Sequence, residues 1–128
     1  MEPKWETFIG RPYGQRAAAG PRVTLGVKGV FYLNRRAFEL VGEPKAVEML
    51  FDGGQRLIGM RPSDPKKPNA FPIRLHSGGN YRRINAAAFC RHFRIRTEKT
   101  VLFERFQLVR GVLTLDMEQT TVVSKGAR

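Results

Sequence analysis

The chain has 128 residues, of which 41% are hydrophobic, and nine of them are phenylalanine. This composition can form a hydrophobic core, so we expect one compact domain rather than a disordered chain. Lysine and arginine number 23 against 11 aspartate and glutamate residues, giving a formal net charge of +12. So large a positive excess attracts phosphate backbones, which favours a nucleic-acid partner over an acidic protein or a lipid surface.

Several other classes are disfavoured by what the sequence lacks. It has no run of about 18 apolar residues that would cross a membrane, and residues 1–20 lack the apolar segment of a signal peptide. Cys90 is the single cysteine, so no intrachain disulfide and no cysteine cluster for a metal is expected. These features predict a cytoplasmic, nucleoid-associated protein with no membrane contact and no cofactor.

Proline, glycine and charge divide the chain into five segments. Residues 1–21 are predicted to form a flexible basic N-terminal arm, and residues 120–128 a polar C-terminal tail. Residues 62–70 hold three prolines, which interrupt helices and central strands, so a linker is expected there. This linker separates a first half, residues 22–61, from a second half, residues 71–119.

The two halves repeat the same order of sequence patterns. Each begins with two short β-prone runs, at 23–25 and 30–33 in the first half and at 71–75 and 81–84 in the second. Asn34 and Asn85 follow these runs at a separation of 51 positions, and each precedes two residues and then Ala-Phe. Asparagine is a good N-cap, so a short helix is predicted after each of them.

The buried faces of these helices follow from their spacing. The first helix is expected to bury Ala37, Phe38 and Val41 and to end at Gly42 in a left-handed cap. The second helix, about residues 86–93, is expected to bury three positions: Ala88, Phe89, and either His92 or Phe93.

Each half closes with a predicted hairpin. Residues 47–51 and 56–60 flank Asp52-Gly53-Gly54, where glycine is expected to supply the positive φ of a tight turn. Residues 103–109 and 112–116 flank Arg110-Gly111. The expected fold class is therefore α+β and mostly β, with two pseudo-repeated strand–strand–helix–hairpin halves packed as one barrel-like domain.

The stretch from Gly29 through Leu40-Val41-Gly42 to the hairpin that ends at Met60 resembles the AbrB/SpoVT-type swapped-hairpin DNA-binding family. That family has a glycine, a short strand, a short helix ending in Leu-Gly, and then a hydrophobic hairpin. The second half is similar, with residues 93–95 at the helix end, and two such halves in one chain resemble the MraZ arrangement. The resemblance implies an interdigitated barrel-like core, with DNA contacted by basic residues around the strand-to-helix turn.

Basic residues cluster around the predicted helices, in the linker and in the arm. The candidate nucleic-acid-binding residues are Arg35, Arg36, Arg82, Arg83, Arg91, Arg94, Arg96, Lys99, Lys66, Lys67 and Arg11. Arginine suits this task because its planar fork binds two phosphate oxygens at once and also reads guanine edges. The two linker lysines have an equally good explanation as solubilising residues.

Three functions remain open at this point. The charge pattern favours a sequence- or structure-selective double-stranded DNA-binding protein, a transcriptional regulator, with a homodimer as one form it could take. The first alternative is a single-stranded DNA- or RNA-binding protein, in which Tyr32 and Tyr81 would stack on bases. The second is a non-enzymatic inhibitor or antitoxin-like protein that binds an acidic protein partner.

Catalytic chemistry has little support in the sequence. Cys90 and His92 point in different directions on a helix, and no further cysteine completes a zinc site. Asp116 and Glu118 would share one face of a strand and are the one candidate pair for a magnesium site. No catalytic residue, metal site or cofactor is therefore predicted.

Overall fold

The computed structural model describes residues 2–6, 20–76 and 80–123, which form two antiparallel β-sheets and two short helices. The elements in chain order are β1 (Val23–Leu25), β2 (Val30–Asn34), α1 (Arg35–Leu40), β3 (Ala46–Asp52), β4 (Leu57–Ser63), β5 (Phe71–Pro72), β6 (Arg74–Leu75), β7 (Tyr81–Asn85), α2 (Ala87–His92), β8 (Val101–Phe103), β9 (Phe106–Val109), β10 (Val112–Asp116) and β11 (Thr120–Val122). The predicted α+β, mostly β class is confirmed.

Some predicted segments lie outside the described residues. These are Met1 and residues 7–19 of the arm, which include Arg11, the Gly78-Gly79 turn, and residues 124–128 of the tail. Within the described part, neither helix has the length and hydropathy that crossing a membrane requires.

Strands from the two halves meet in the middle of each sheet. The six-stranded sheet has the order β11-β8-β1-β2-β7-β6, and the five-stranded sheet has the order β5-β3-β4-β10-β9. β2 pairs with β7 along its whole length, from Val30 opposite Asn85 to Asn34 opposite Tyr81. β4 pairs with β10 in the other sheet. Each sheet is therefore built from both halves, and neither half has a sheet of its own.

The two sheets pack against one hydrophobic core. The six-stranded sheet contributes Leu25, Phe31, Leu33 and Ile84 to it, and the five-stranded sheet contributes Val47, Ile58, Met60, Leu113 and Leu115. Leu113 and Leu115 share the inner face of β10 and are fully buried, as the alternation predicts. Since burying one such side chain contributes about 1.5–3 kcal/mol, this cluster is the main source of stability.

Helix α1 forms as the sequence predicts. The Asn34 side-chain oxygen accepts a hydrogen bond from the backbone N–H of Ala37 at 2.9 Å, which satisfies one free amide of the first turn. Ala37, Phe38 and Val41 are buried. Gly42 adopts φ 94°, so the chain leaves the helix through the left-handed cap that glycine allows.

Helix α2 differs from the prediction because one extra residue separates it from the preceding strand. α1 begins immediately after Asn34, whereas Ala86 stands between Asn85 and the first residue of α2. The shift turns Phe89 and Cys90 inward, where both are buried, and leaves Ala88 exposed. His92 is exposed and Phe93 is 38% exposed, so the prediction that Ala88 and one of these two residues are buried was wrong.

The proline-rich segment begins later than predicted. Pro62 and Ser63 belong to β4, where they pair with Val47 and Ala46 of β3. The pairing of β4 with β10 ends at Met60, so this end of β4 has a neighbouring strand on one side only. A proline is tolerated there because no second neighbouring strand needs a hydrogen bond from the N–H group that proline lacks.

Two runs that were predicted as single strands are divided between the sheets. Residues 71–75 form β5, which pairs with β3, and β6, which pairs with β7. Residues 103–109 are likewise divided, because β8 ends at Phe103 in the six-stranded sheet and β9 begins at Phe106 in the five-stranded sheet. Each run therefore bends where the chain crosses from one sheet to the other.

The two hairpin turns have different backbone geometry. At the β9–β10 turn, Arg110 and Gly111 adopt φ 51° and 80°, as a tight turn at that dipeptide requires. At the β3–β4 turn the positive φ, 58°, belongs to Arg56, so assigning it to the glycines was wrong. The Asp52 carboxylate accepts hydrogen bonds from the N–H groups of Gly54 and Gln55 instead, at 3.0 and 3.1 Å.

Candidate nucleic-acid interface

A row of residues crosses the six-stranded sheet on the face opposite the core. Directly opposed residues of antiparallel strands point to the same face, and successive residues alternate between faces. Phe31 and Ile84 oppose one another and point into the core, so Tyr32 and Arg83, which also oppose one another, point away from it. The register continues this row in strand order as Thr121, Leu102, Thr24, Tyr32, Arg83 and Arg74. We call this side of the six-stranded sheet the outer face.

Aromatic side chains lie beside the arginines on the outer face. Tyr81 opposes Asn34 and therefore points to the same side as Tyr32. The ring of His76 packs edge-on against the ring of Tyr32, with 5.1 Å between their centroids. Both tyrosines are half-buried, so part of each ring meets solvent. The outer face therefore combines two half-buried tyrosine rings with Arg74 of β6 and Arg83 of β7. Arg82 opposes the core residue Leu33 and points to the other side of the sheet.

Charge is divided unevenly between the strands of the two sheets. The strands of the six-stranded sheet contain Arg74, Arg82 and Arg83 and no carboxylate. Those of the five-stranded sheet contain one arginine and three carboxylates: Arg61, Glu48, Asp52 and Asp116. The carboxylates alternate with the core residues of β3 and β10, so they lie on the surface of the five-stranded sheet that faces away from the core.

Arg61 is paired with one of these carboxylates, Glu48, which leaves Asp52 and Asp116 as the excess negative charge of the strands. Its Nη2 lies 3.0 Å from Glu48 Oε1, and Asn69 donates to the other Glu48 oxygen at 2.8 Å. The hydrogen bonds from Asn69 and then Arg61 lower the pKa of Glu48, so this carboxylate stays ionised. Among the strand residues that point outward, the six-stranded sheet thus has an excess of positive charge and the five-stranded sheet an excess of negative charge.

Three arginines lie at the start of α1. Arg35 and Arg36 are exposed, and Arg35 Nε contacts Glu39 Oε2 at 3.3 Å. Arg82 comes from β7, and its guanidinium carbon lies 4.6 Å from the centroid of the Phe38 ring on α1. Within the described part of the chain, neither Arg36 nor Arg82 has a carboxylate within 4.0 Å. The structure therefore brings Arg82 to the helix that Arg35 and Arg36 begin.

The end of α2 carries a second basic group, which includes Arg91 and Arg94, both exposed. Because β2 and β7 are antiparallel, α1 and α2 follow opposite ends of the strand pair. The two helix starts are therefore separated by roughly 17 Å, the length of five residues at about 3.4 Å each. The two basic groups therefore lie at opposite ends of the β2–β7 pair, with Arg83 and Arg74 between them along the strands.

The remaining predicted site residues lie elsewhere. Lys66 and Lys67 are exposed in the loop after β4, and Asn69 of that loop binds Glu48 on the five-stranded sheet. Arg96 and Lys99 lie between α2 and β8, where they line a cavity. Lys66 and Lys67 are therefore not brought together with the arginines of the outer face.

Arg74 and His76 were missed by sequence reasoning. Their alternate positions would place both on one face of a strand, but residues 71–75 read as one continuous strand with no indication of its partner. The pairing of Arg74 with Arg83, which puts two arginines side by side, depends on β7, the next strand along the chain.

The groups considered for catalysis are not assembled into a site. The Asp116 carboxylate accepts the backbone N–H of Glu118 at 2.9 Å and closes a turn after β10. In the ranges 2–6, 20–76 and 80–123, no three His, Cys, Asp or Glu residues are grouped so as to hold a metal ion. Cys90 is buried, and desolvation raises the pKa of its thiol, as expected for a small core residue.

Comparisons with protein-family models, with curated proteins and with solved structures found no match to this chain.

Proposed function

We propose that this protein binds double-stranded DNA through the outer face of its six-stranded sheet and acts as a transcriptional regulator on the nucleoid. The observation that carries the proposal is the division of charge between the outward surfaces of the sheets. The strands of the six-stranded sheet place Arg74 and Arg83 there and no carboxylate, whereas those of the five-stranded sheet place one arginine and three carboxylates there. A polyanion approaching the protein is attracted more strongly to the first surface than to the second.

The positions of the basic groups support a duplex as the partner. The two basic groups lie at opposite ends of a strand pair that is roughly 17 Å long, a distance on the scale of a major groove about 12 Å wide with its flanking phosphates. In this arrangement Arg35 and Arg36 contact one backbone, and the residues at the end of α2 contact the other. Arg83 and Arg74 lie between them, where arginine can read guanine edges.

We also propose that the two halves are copies of one unit, packed as a barrel-like domain. Support comes from three backbone hydrogen bonds at the end of α1 that recur at the end of α2, 52 positions later. In α1 the N–H groups of Val41, Gly42 and Glu43 donate to the carbonyl oxygens of Ala37, Glu39 and Phe38, respectively. In α2 the N–H groups of Phe93, Arg94 and Ile95 donate to those of Phe89, Arg91 and Cys90. The strand orders β1-β2-β7-β6 and β3-β4-β10-β9 place equivalent strands symmetrically. These relationships favour the resemblance to tandem, MraZ-like members of the AbrB/SpoVT-type family.

A second candidate function is binding of single-stranded DNA or RNA. The specific observation that favours it is the half-exposed pair Tyr32 and Tyr81 on the outer face, beside Arg83. Aromatic rings next to cations stack on unpaired bases, whatever their sequence.

Fluorescence anisotropy separates the two candidates. A labelled duplex and each of its separated strands are titrated with the full chain at low and at physiological salt. Tighter binding to the duplex supports the first proposal, and tighter binding to the strands supports the second. No binding to either nucleic acid would overturn both and leave an acidic protein as the partner.

The assay also locates the interface. Arg74→Gln combined with Arg83→Gln should weaken duplex binding by removing two cations from the outer face. Lys45→Gln combined with Arg105→Gln removes the same charge from exposed positions off that face and serves as the control. Equal losses in the two variants would show that net charge, rather than the outer face, governs binding.

A further inference from the structure

A cavity of about 480 Å³ lies beside the β8–β11 end of the six-stranded sheet. Its apolar lining includes Val101 and Phe103 of β8, Val122 of β11 and Met117, which follows β10. Phe103 belongs to the core and Val101 packs against it, so this wall is an extension of the core that remains open to solvent. Ligand pockets of proteins commonly have volumes of roughly 300–1,000 Å³ and a mostly apolar lining, as here.

Three cations from two parts of the chain share the lining of this cavity. Arg96 and Lys99 come from the segment between α2 and β8, and Arg56 comes from the β3–β4 turn. Glu98 is the one carboxylate among the lining residues. Among the lining residues, positive charges therefore outnumber negative charges by two, beside an apolar wall.

These cations have few partners of their own. Across the described ranges, neither Arg96 nor Lys99 has a carboxylate within 4.0 Å, and Arg56 reaches Glu118 only at 4.0 Å. The backbone of Arg56 is fixed, because its carbonyl accepts the N–H of Met117 at 3.0 Å. The side chain of Arg56 is therefore attached at a fixed position at the edge of the cavity.

We propose that this cavity binds a small monocarboxylate with an apolar alkyl or aryl body. The carboxylate lies among Arg56, Arg96 and Lys99, because a guanidinium and an ammonium group form strong charge-assisted hydrogen bonds with it. The apolar body packs against the exposed extension of the core. Charge complementarity selects an anion over a cation or a neutral molecule, and the apolar wall selects a long carboxylate over a short one.

The cavity is separate from the outer face. Leu25 and Val101, which line it, oppose one another across β1 and β8 and point to the core side of the six-stranded sheet. Thr24 and Leu102 are the next pair and point to the outer face. The ligand therefore does not occupy the proposed nucleic-acid surface, and its binding can be measured in the absence of any nucleic acid.

Isothermal titration of the full chain tests the proposal with decanoate, kept below its micelle concentration, as the probe. Acetate has the charge of decanoate without its apolar body, and decyltrimethylammonium has the apolar body with the opposite charge. We expect saturable binding of decanoate at one site and none of the other two. Binding of all three, or of the cation and decanoate equally, would overturn the proposal, as would the absence of decanoate binding.

Variants then assign the site. Arg96→Gln with Lys99→Gln should weaken decanoate binding at least tenfold, and Val122→Ser should weaken it through the apolar wall. All three residues are at least partly solvent-exposed at the surface, so these variants are expected to fold, which circular dichroism checks. Lys45→Gln with Arg105→Gln is the matched control and should retain wild-type affinity. Decanoate affinity that falls equally in the control would place the site elsewhere, whatever the result of the nucleic-acid assay.

Discussion

The guanidinium of Arg82 lies over the ring of Phe38, with 4.6 Å between the guanidinium carbon and the ring centroid. Arg82 belongs to the second half of the chain and Phe38 to the first, so the contact joins β7 to α1. It also fixes one candidate DNA-binding arginine against the helix that carries two others. This pair therefore contributes to stability and also sets the position of one candidate DNA-binding residue.

Replacing Arg82 with methionine should lower the free energy of unfolding by about 0.5–1 kcal/mol. Methionine keeps most of the apolar contact with the Phe38 ring, so the change isolates the cation–π attraction. Urea denaturation measures the effect. Arg83→Met is the matched control, because it removes the same charge from the next position of the same strand, which points to the outer face. A control that loses as much stability would show that the interaction with the ring contributes nothing.

Phe38→Ala should destabilise the protein by roughly 3–5 kcal/mol, since it leaves a cavity at a buried position and removes the ring under Arg82. Phe93→Ala removes a ring that is 38% exposed and should cost clearly less. Thermal or urea unfolding of both variants gives the comparison. Similar losses in the two would mean that α1 is packed no better than the end of α2.

Alanine substitutions at Gly29 and Gly42 distinguish the cost of backbone strain from the cost of a steric clash. A Cβ at Gly29, which has φ 81°, would lie 2.8 Å from the Cα of Ala87, whereas one at Gly42, with φ 94°, meets nothing within 4 Å. Gly42→Ala should therefore cost about 1–2 kcal/mol, from left-handed strain alone. Gly29→Ala should cost more, because α2 must also move. Equal effects in urea denaturation would contradict the close approach of the β1–β2 turn to α2.

Charge reversal tests the location of the DNA interface. Arg35→Glu with Arg36→Glu and Lys66→Glu with Lys67→Glu each change the net charge by four units at exposed positions. We expect the arginine variant to bind duplex more weakly than the lysine variant. It should also flatten the salt dependence, by a slope of about 0.9 for each phosphate that the protein no longer neutralises. Anisotropy at several salt concentrations measures both quantities. The opposite ranking would move the interface to the loop after β4.

Local signals explain which parts of the fold are predictable from sequence. Asn34 and Gly42 specify both ends of α1 within a few residues, and the alternation of Leu113 and Leu115 specifies the face of β10. Asn85 looks equivalent to Asn34, but the single residue Ala86 after it turns α2 enough to exchange Ala88 for Cys90 in the core. Pro62 can belong to β4 because the pairing of β4 with β10 ends at Met60. The sequence around Pro62 does not show where that pairing ends.

The candidate site shows the same division between local and long-range information. Charge alone selects Arg35, Arg36, Arg82 and Arg83 as candidates. Their arrangement depends on the antiparallel pairing of β2 with β7, which separates the helix starts and puts Arg82 beside α1. Arg74 enters the outer face only because the chain bends at Ile73 and changes sheets.

The pairing of β2 with β7 and of β4 with β10 has a consequence for synthesis on the ribosome. When the first half has been made, the edges of β2 and β4 that those strands will cover still lack partners. The last paired residue of β7 follows that of β2 by 51 positions, which takes roughly 3–10 s at about 5–20 residues per second. During that interval the nascent chain presents the open edge of β2 and, once β4 has been made, the open edge of β4 as well. Such edges can pair with those of another nascent copy of the chain.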